Sequence, residues 1–173
     1  IPGAGEMKQA PGDDEYWSAL FMSEKKLKRF KFDGSSAELE DVLSLGGTTK
    51  GYPYGFAFHP DFKNNGKLYV HTYTPEFEDE NAVIREYTWS DELNAFDVES
   101  GLVLFRASSS ETELEKIDHQ GGTMHFGPDG YLYVAFGDFT RPEIFNNSAQ
   151  ERTSYAGKMI RIEVDGAMPY GIP

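Results

Sequence analysis

The chain has 173 residues, enough for one domain with a hydrophobic core, and a formal net charge of -13. So acidic a surface repels phosphate backbones and anionic lipids, which excludes nucleic acid and membrane surfaces as expected partners. The sequence contains no cysteine, so disulfides and thiolate metal sites are excluded, and no apolar run reaches the roughly 20 residues of a membrane span.

The composition favours an all-β chain. Tyrosine (10), phenylalanine (13) and glycine (18) are abundant, and most apolar runs are short and bounded by turn formers. Residues 1–16 lack a period and are predicted to be an extended N-terminal arm, so the folded part is predicted to cover residues 17–173. Apolar runs at 17–22, 26–32 and 38–45 predict the strands of an incomplete first unit.

An internal repeat follows, around residues 55–74 and again around 122–140. Each copy runs from an apolar strand through a Pro-Asp corner and a glycine turn to a Leu-Tyr-Val strand, and the corner prolines, Pro60 and Pro128, are 68 residues apart. Alternating segments between and after the copies predict the remaining strands; they cover 82–89, 101–106 and 157–164. Repeated short strands without helices predict blades of a β-propeller.

The count of blades predicts an incomplete propeller. Two repeat copies and the leading unit make about two and a half blades, whereas a closed propeller has about 4 to 8. An open arc leaves strand edges and core surface exposed. We therefore expect the chain to be a piece of a longer protein, or to be completed by another chain.

The candidate chemistry lies in Asp118, His119 and Gln120, directly before Gly121-Gly122. A histidine that titrates near neutrality, beside a carboxylate that orients it, can serve as a general base. The pattern places this group at the mouth of a hairpin formed by the second repeat. The alternative interpretation is a turn in which the His119 side chain bonds its own backbone.

Three stretches resemble, in the same order, the soluble quinoprotein glucose and sorbosone dehydrogenase family, which includes the hedgehog-interacting-protein-like proteins. They are GFAFHPDFKNNGKLYVHTY at 55–73, DHQGGTMHFGPDGYLYVAFGD at 118–138 and YAGKMIRIEVDGAMPYGIP at 155–173. The resemblance implies a six-bladed propeller with pyrroloquinoline quinone (PQQ) and calcium at its axis. It also implies a secreted, periplasmic or organelle-lumen location.

By this resemblance His119 matches the family's catalytic base, which takes the proton of a sugar hydroxyl while hydride passes to the quinone. Asp118 and Gln120 match positions at the cofactor. Two differences from the family's dehydrogenases argue against catalytic activity. The glutamines of those dehydrogenases are replaced within 48–55 and at Phe139. The family's calcium ligands and quinone-binding cations lie in later blades, so this chain alone is not expected to hold PQQ or a metal.

The sequence thus leaves two functions open. One is the N-terminal part of a PQQ-dependent sugar dehydrogenase, and the other is a non-catalytic propeller that serves as a binding or scaffold module. Among the other candidate residues, His59 is predicted to be structural, within the His-Pro-Asp-Phe corner. Asn146 begins an Asn-Asn-Ser pattern that matches an N-glycosylation acceptor.

Overall fold

The computed structural model describes residues 1–46, 51–73, 82–107, 119–139 and 148–166. Within these ranges eleven strands form three antiparallel sheets, accompanied by one short helix, α1 (Phe62–Asn65), and a 3-10 turn (Ser148–Gln150). The all-β prediction is confirmed. The strands are β1 (Met7–Gln9), β2 (Trp17–Phe21), β3 (Lys26–Phe30), β4 (Glu40–Ser44), β5 (Tyr52–Phe58), β6 (Lys67–Tyr73), β7 (Ala82–Ser90), β8 (Ala95–Ala107), β9 (Gly121–Phe126), β10 (Leu132–Phe136) and β11 (Met159–Ile162).

Every sheet is a meander in which neighbouring strands are consecutive in the chain. In the described residues the first blade is β1 to β4, the second β5 to β8, and the third β9 to β11. Strand β5 lies against β9 at one edge of the blades, and β4 lies against β8 at the other. Sheets placed side by side in this way form a partial β-propeller, with β1, β5 and β9 as its inner strands.

The first blade differs from the prediction. It has four strands, because residues Met7–Gln9 of the predicted arm pair with β2 as the innermost strand, with Met7 opposite Ala19 and Gln9 opposite Trp17. A strand of three residues is too short to show an alternating period, so its sequence reads as a loop. Among the described residues, the blade with fewer strands is therefore the third and not the first.

Two apolar cores hold the blades together, and β6 supplies both of them. Its side chains alternate: Leu68 and Val70 enter the core shared with the first blade, whereas Tyr69 enters the core shared with the third. This alternation is the consequence of the two-residue period of a strand. It fixes the register of the middle blade, because a slip by one residue would exchange the two sets.

The two predicted repeat copies are hairpins at corresponding positions in neighbouring blades, β5–β6 and β9–β10. In the first corner the His59 Nδ1 accepts a hydrogen bond of 3.0 Å from the Asp61 amide, and its Nε2 lies 3.0 Å from Asp165 Oδ1 of the third blade. The side chain is buried. The prediction that His59 is a structural corner residue is confirmed.

Candidate functional site

The candidate site lies where the hairpin β9–β10 opens. Gly121 is paired with Phe136; His119 precedes this pair by two residues and Asp138 follows it by two. The two side chains meet, with His119 Nδ1 and Asp138 Oδ1 3.2 Å apart. Their side chains are 56% and 38% exposed, so the pair is open to a ligand from the outside.

Close backbone contacts hold His119 in place. The Gly137 amide donates to the Gln120 carbonyl oxygen at 3.1 Å, and the Phe139 amide donates to the His119 carbonyl oxygen at 3.4 Å. A Cβ atom at Gly137 would overlap that same His119 oxygen, so only glycine fits there. His119 itself has a left-handed φ of 56°, which a non-glycine residue adopts at a cost in free energy.

The hydrogen bond with Asp138 defines the chemistry of the imidazole. An ionised carboxylate can only accept hydrogen bonds, so the contact requires the proton of the neutral ring to be on Nδ1. The lone pair is then on Nε2, on the other side of the ring. A carboxylate in this position fixes the tautomer and the orientation of the ring. The pair can therefore act as a general base towards a bound hydroxyl group.

The structure adds Asp138, a residue whose role the sequence analysis did not assign. The sequence could have indicated this role, because two residues at equal distances beyond the last pair of a hairpin face each other. His119 and Asp138 each lie two residues beyond the pair of Gly121 and Phe136. The predicted cofactor residue Gln120, which follows His119 in the chain, is buried at 9% exposure. Asp118 and the candidate glycosylation site Asn146 lie outside the described residues, and their roles stay predictions.

A second histidine, His71 on β6 of the second blade, packs against Phe136 and Gly122 of the third blade. His71 is fully buried, and neither ring nitrogen has a hydrogen-bond partner among the described residues. Its ring packs edge-on against Phe136, with centroids 5.4 Å apart, and a Cβ at Gly122 would collide with its Nδ1. Burial without a partner lowers the pKa of His71 to about 4.

The described residues do not provide a complete site for PQQ or calcium. They contain no group of three or more histidine, aspartate or glutamate side chains that could hold a metal ion. Next to Asp138, the ring of Phe139 packs against Phe136 at 6.2 Å and offers no polar contact to a quinone. Across the same ranges there is no helix of the length and apolar composition needed to cross a bilayer.

The fold is that of a β-propeller protein, and the histidine–aspartate pair at the mouth of an inner-strand hairpin is its candidate site. Comparison with known proteins gives the family. The family model for glucose / sorbosone dehydrogenase matches residues 18–173, and the chain belongs to this family.

Individual relatives include both enzymes and binding proteins by name. The chain is 31% identical over 140 residues to quinoprotein glucose dehydrogenase B of Acinetobacter calcoaceticus, covering 69% of this chain and 28% of that protein. It is 36% identical over 138 residues to the Hedgehog-interacting protein of Homo sapiens, covering 74% and 19%. The chain thus spans less than a third of the length of these relatives.

Solved structures support the fold. A glucose dehydrogenase superposes with a TM-score of 0.67 at 21% identity, over 94% of this chain and 48% of that one. The soluble aldose sugar dehydrogenase of Escherichia coli in its apo form gives 0.59 at 17% identity, over 91% and 46%. At these sequence identities the structural similarity establishes the propeller architecture alone. Arguments about function rest on the residues of the candidate site.

Proposed function

We propose that this chain is the N-terminal part of a glucose/sorbosone dehydrogenase-like quinoprotein, in which His119 is the general base for oxidation of a sugar hydroxyl. The observation that carries the proposal is the contact of 3.2 Å between His119 Nδ1 and Asp138 Oδ1 at the open end of β9–β10. PQQ, when bound, supplies the hydride acceptor. The later blades would complete its site with calcium and with cations for its carboxylates.

The residues of this chain perform the proton half of that reaction. A carbinol carbon gives up hydride only as its hydroxyl loses a proton, and His119 Nε2 is the acceptor for that proton. Asp138 stabilises the imidazolium that results, since the charge on its carboxylate lies beside Nδ1. The close packing of Gly137 against the His119 carbonyl keeps the ring where the substrate must approach.

The test uses the longest native protein that contains this sequence. It is titrated with PQQ and calcium, and sugar-dependent reduction of the quinone is followed by absorbance. We expect His119→Ala to lower kcat by about 10²- to 10⁴-fold, the usual contribution of a general base. His125→Ala is the matched control, because His125 lies on the same strand β9 and is exposed. Equal losses in both variants would contradict the role of His119.

A second candidate function is a non-catalytic propeller that binds another protein. Two observations favour it: the apolar ring of Phe139 beside the candidate base, and the similarity to Hedgehog-interacting proteins. If the longer protein binds neither PQQ nor calcium while remaining folded, this second function replaces the first.

The whole protein also needs partners and a cellular location that agree with this function. The open side of the third blade requires the remaining propeller, or another protein chain, as its neighbour. A sugar is the proposed substrate, and nucleic acid is excluded by the net charge of -13. We further propose a secreted, periplasmic or organelle-lumen location for the protein.

A further inference from the structure

A cavity lies between the first and second blades, at the end of the inner strands opposite to His119. The direction is given by β5 and β9, which run side by side: Gly55 lies against Gly122 near the candidate site, and His59 lies against Phe126 at the far end. The cavity opens beside Phe58, the last residue of β5, and has a volume of about 430 Å³. Ligand sites commonly measure about 300–1,000 Å³.

The two walls of this cavity differ in their balance of side chains. The second blade contributes the aromatic wall, formed by Phe58, Phe62, Trp89 and Phe96, beside the polar residues Lys63, Asn64, Asn65 and Asp91. The first blade contributes the polar wall, formed by Asp13, Tyr16, Ser18 and Arg29, beside Ala10 and Val42. A ligand that contacts both walls has an apolar face and polar groups at its edge.

Two residues of the polar wall, Ser18 and Arg29, lie on the sheet face that packs against the second blade, where the neighbouring positions are apolar. Ser18 and Arg29 are paired across β2 and β3, on the same face of the sheet as Leu20 and Leu27, which belong to the core between the two blades. Ser18 is only 7% exposed, and it lines the cavity. A serine at a position flanked by core leucines provides a hydroxyl that can both donate to and accept from a ligand in the cavity.

Arg29 is held rigidly at the cavity. Its guanidinium lies over the rings of Tyr16 at 4.6 Å and Trp89 at 5.1 Å. Its Nε donates to Glu40 at 2.9 Å and its Nη2 donates to Asn94 at 2.9 Å. Within the described residues the Nη1 group forms no hydrogen bond, so Nη1 is a donor that the other contacts of Arg29 hold in a fixed position.

The charges at the cavity cancel. Asp13 and Asp91 carry two negative charges among its lining residues, and Arg29 and Lys63 carry two positive ones. The Asp13 Oδ1 accepts the amide protons of Glu15 and Tyr16, at 2.9 and 3.0 Å, which leaves its Oδ2 as an acceptor for a ligand. Balanced charge favours a neutral ligand over a charged one, since either sign of net charge would meet a like charge.

We propose that this cavity is a second ligand site that binds a neutral hexopyranose. A pyranose ring has a face of C–H groups, which fits the aromatic wall, and an edge of hydroxyls that both donate and accept. The Ser18 hydroxyl, the Arg29 Nη1 and the Asp13 carboxylate are the partners for that edge. The site is separate from His119 and does not depend on oxidation of the sugar.

The test is calorimetric titration of the longest native protein with methyl β-D-glucopyranoside. This probe has no free anomeric hydroxyl, so oxidation at that position cannot contribute to the heat. We expect saturable binding that weakens about fivefold in Ser18→Ala, the effect of one hydrogen bond, and that is lost in Ser18→Val, whose extra methyl group enters the cavity. Ser36→Val, on the exposed surface, is the matched control.

A fluorescence readout checks where the sugar binds. The sequence has two tryptophans, so Trp17→Phe leaves Trp89 of the aromatic wall as the reporter, and we expect its emission to change with the same midpoint as the heat. His119→Ala must bind the probe as wild type does, whatever its effect on oxidation. No saturable binding at ~10 mM probe, binding unaffected by Ser18→Val, or binding lost in His119→Ala would each overturn the proposal.

Discussion

Among the described residues, His71 is a fully buried imidazole, and its burial disfavours the protonated ring. Its imidazole is enclosed by Phe136, Gly122 and Tyr54 between two blades, and burial lowers its pKa to about 4. Between pH 4 and 6.5 the unfolded chain binds a proton at this residue that the folded chain does not. The folded state therefore loses stability as the pH falls through this window, by about 3 kcal/mol for the full shift.

We predict that His71→Leu removes this part of the pH dependence. The substitution deletes two nitrogens that have no hydrogen-bond partner in the described residues, so its cost at pH 7 should be small. Urea unfolding of the native protein and the variant at pH 7.0 and ~4.5 measures the difference. His125→Leu, at an exposed position of β9, should keep the wild-type pH dependence; an unchanged pH dependence in His71→Leu would disprove the assignment.

At this same scale the sequence located the candidate base but not its partner. His119 could be identified because its neighbouring carboxylate and two glycines are adjacent to it in the sequence. Asp138 lies 19 residues away and becomes its neighbour only through the pairing of β9 with β10. Contacts that depend on hairpin register are visible in the sequence only after the register is known.

Although strand β1 has only three residues, its Lys8 side chain contacts the inner strands of the other two blades. The Lys8 ammonium donates to the Met124 carbonyl oxygen of β9 at 2.6 Å and also to the Phe56 carbonyl oxygen of β5. It forms an ion pair with Glu6 at 2.8 Å, and Glu6 in turn accepts the Phe56 amide proton at 3.2 Å. Partial burial lowers the pKa of Lys8 despite the carboxylate. One side chain thus connects the inner strands of three blades.

Replacing Lys8 by methionine should destabilise the fold by about 3 kcal/mol, because carbonyl oxygens and a carboxylate at the inner edge lose their partner. Lys26→Met is the control, since Lys26 pairs with Asp41 on the surface, where ion pairs contribute under about 1 kcal/mol. Chemical unfolding of the native protein measures both costs. Similar values for the two variants would show that Lys8 does not connect the blades energetically.

The strands that alternate over five residues or more were predicted with useful accuracy, among them β6, β7 and β10. Strand β1 was missed because its three residues are too few to show an alternating period. Strand β8 is longer than the predicted segment at 101–106, since it begins at Ala95 directly after the turn that follows β7. Local pattern thus predicts the middle of a strand better than its ends, which depend on the neighbouring strand.

For the molecule as a whole, the arc of blades leaves the outer face of the third blade without a neighbour in the described residues. Met159 on β11 is 69% exposed, although its neighbour Ile160, which faces the second blade, is buried. In a closed propeller such a face packs against the next sheet. An apolar side chain on an open sheet is a point of self-association.

We therefore expect chain 1–173, expressed by itself, to form oligomers, and Met159→Glu to increase the monomer fraction measured by sedimentation velocity. Leu93→Glu is the matched control: it adds the same charge at a side chain that is 58% exposed, but in the β7–β8 turn, away from the open face. If both variants dissociate the oligomer equally, repulsion between acidic chains explains the result. If 1–173 is already a cooperative monomer, the third blade needs no neighbour, and the requirement for further blades would have to come from the chemistry of the site alone.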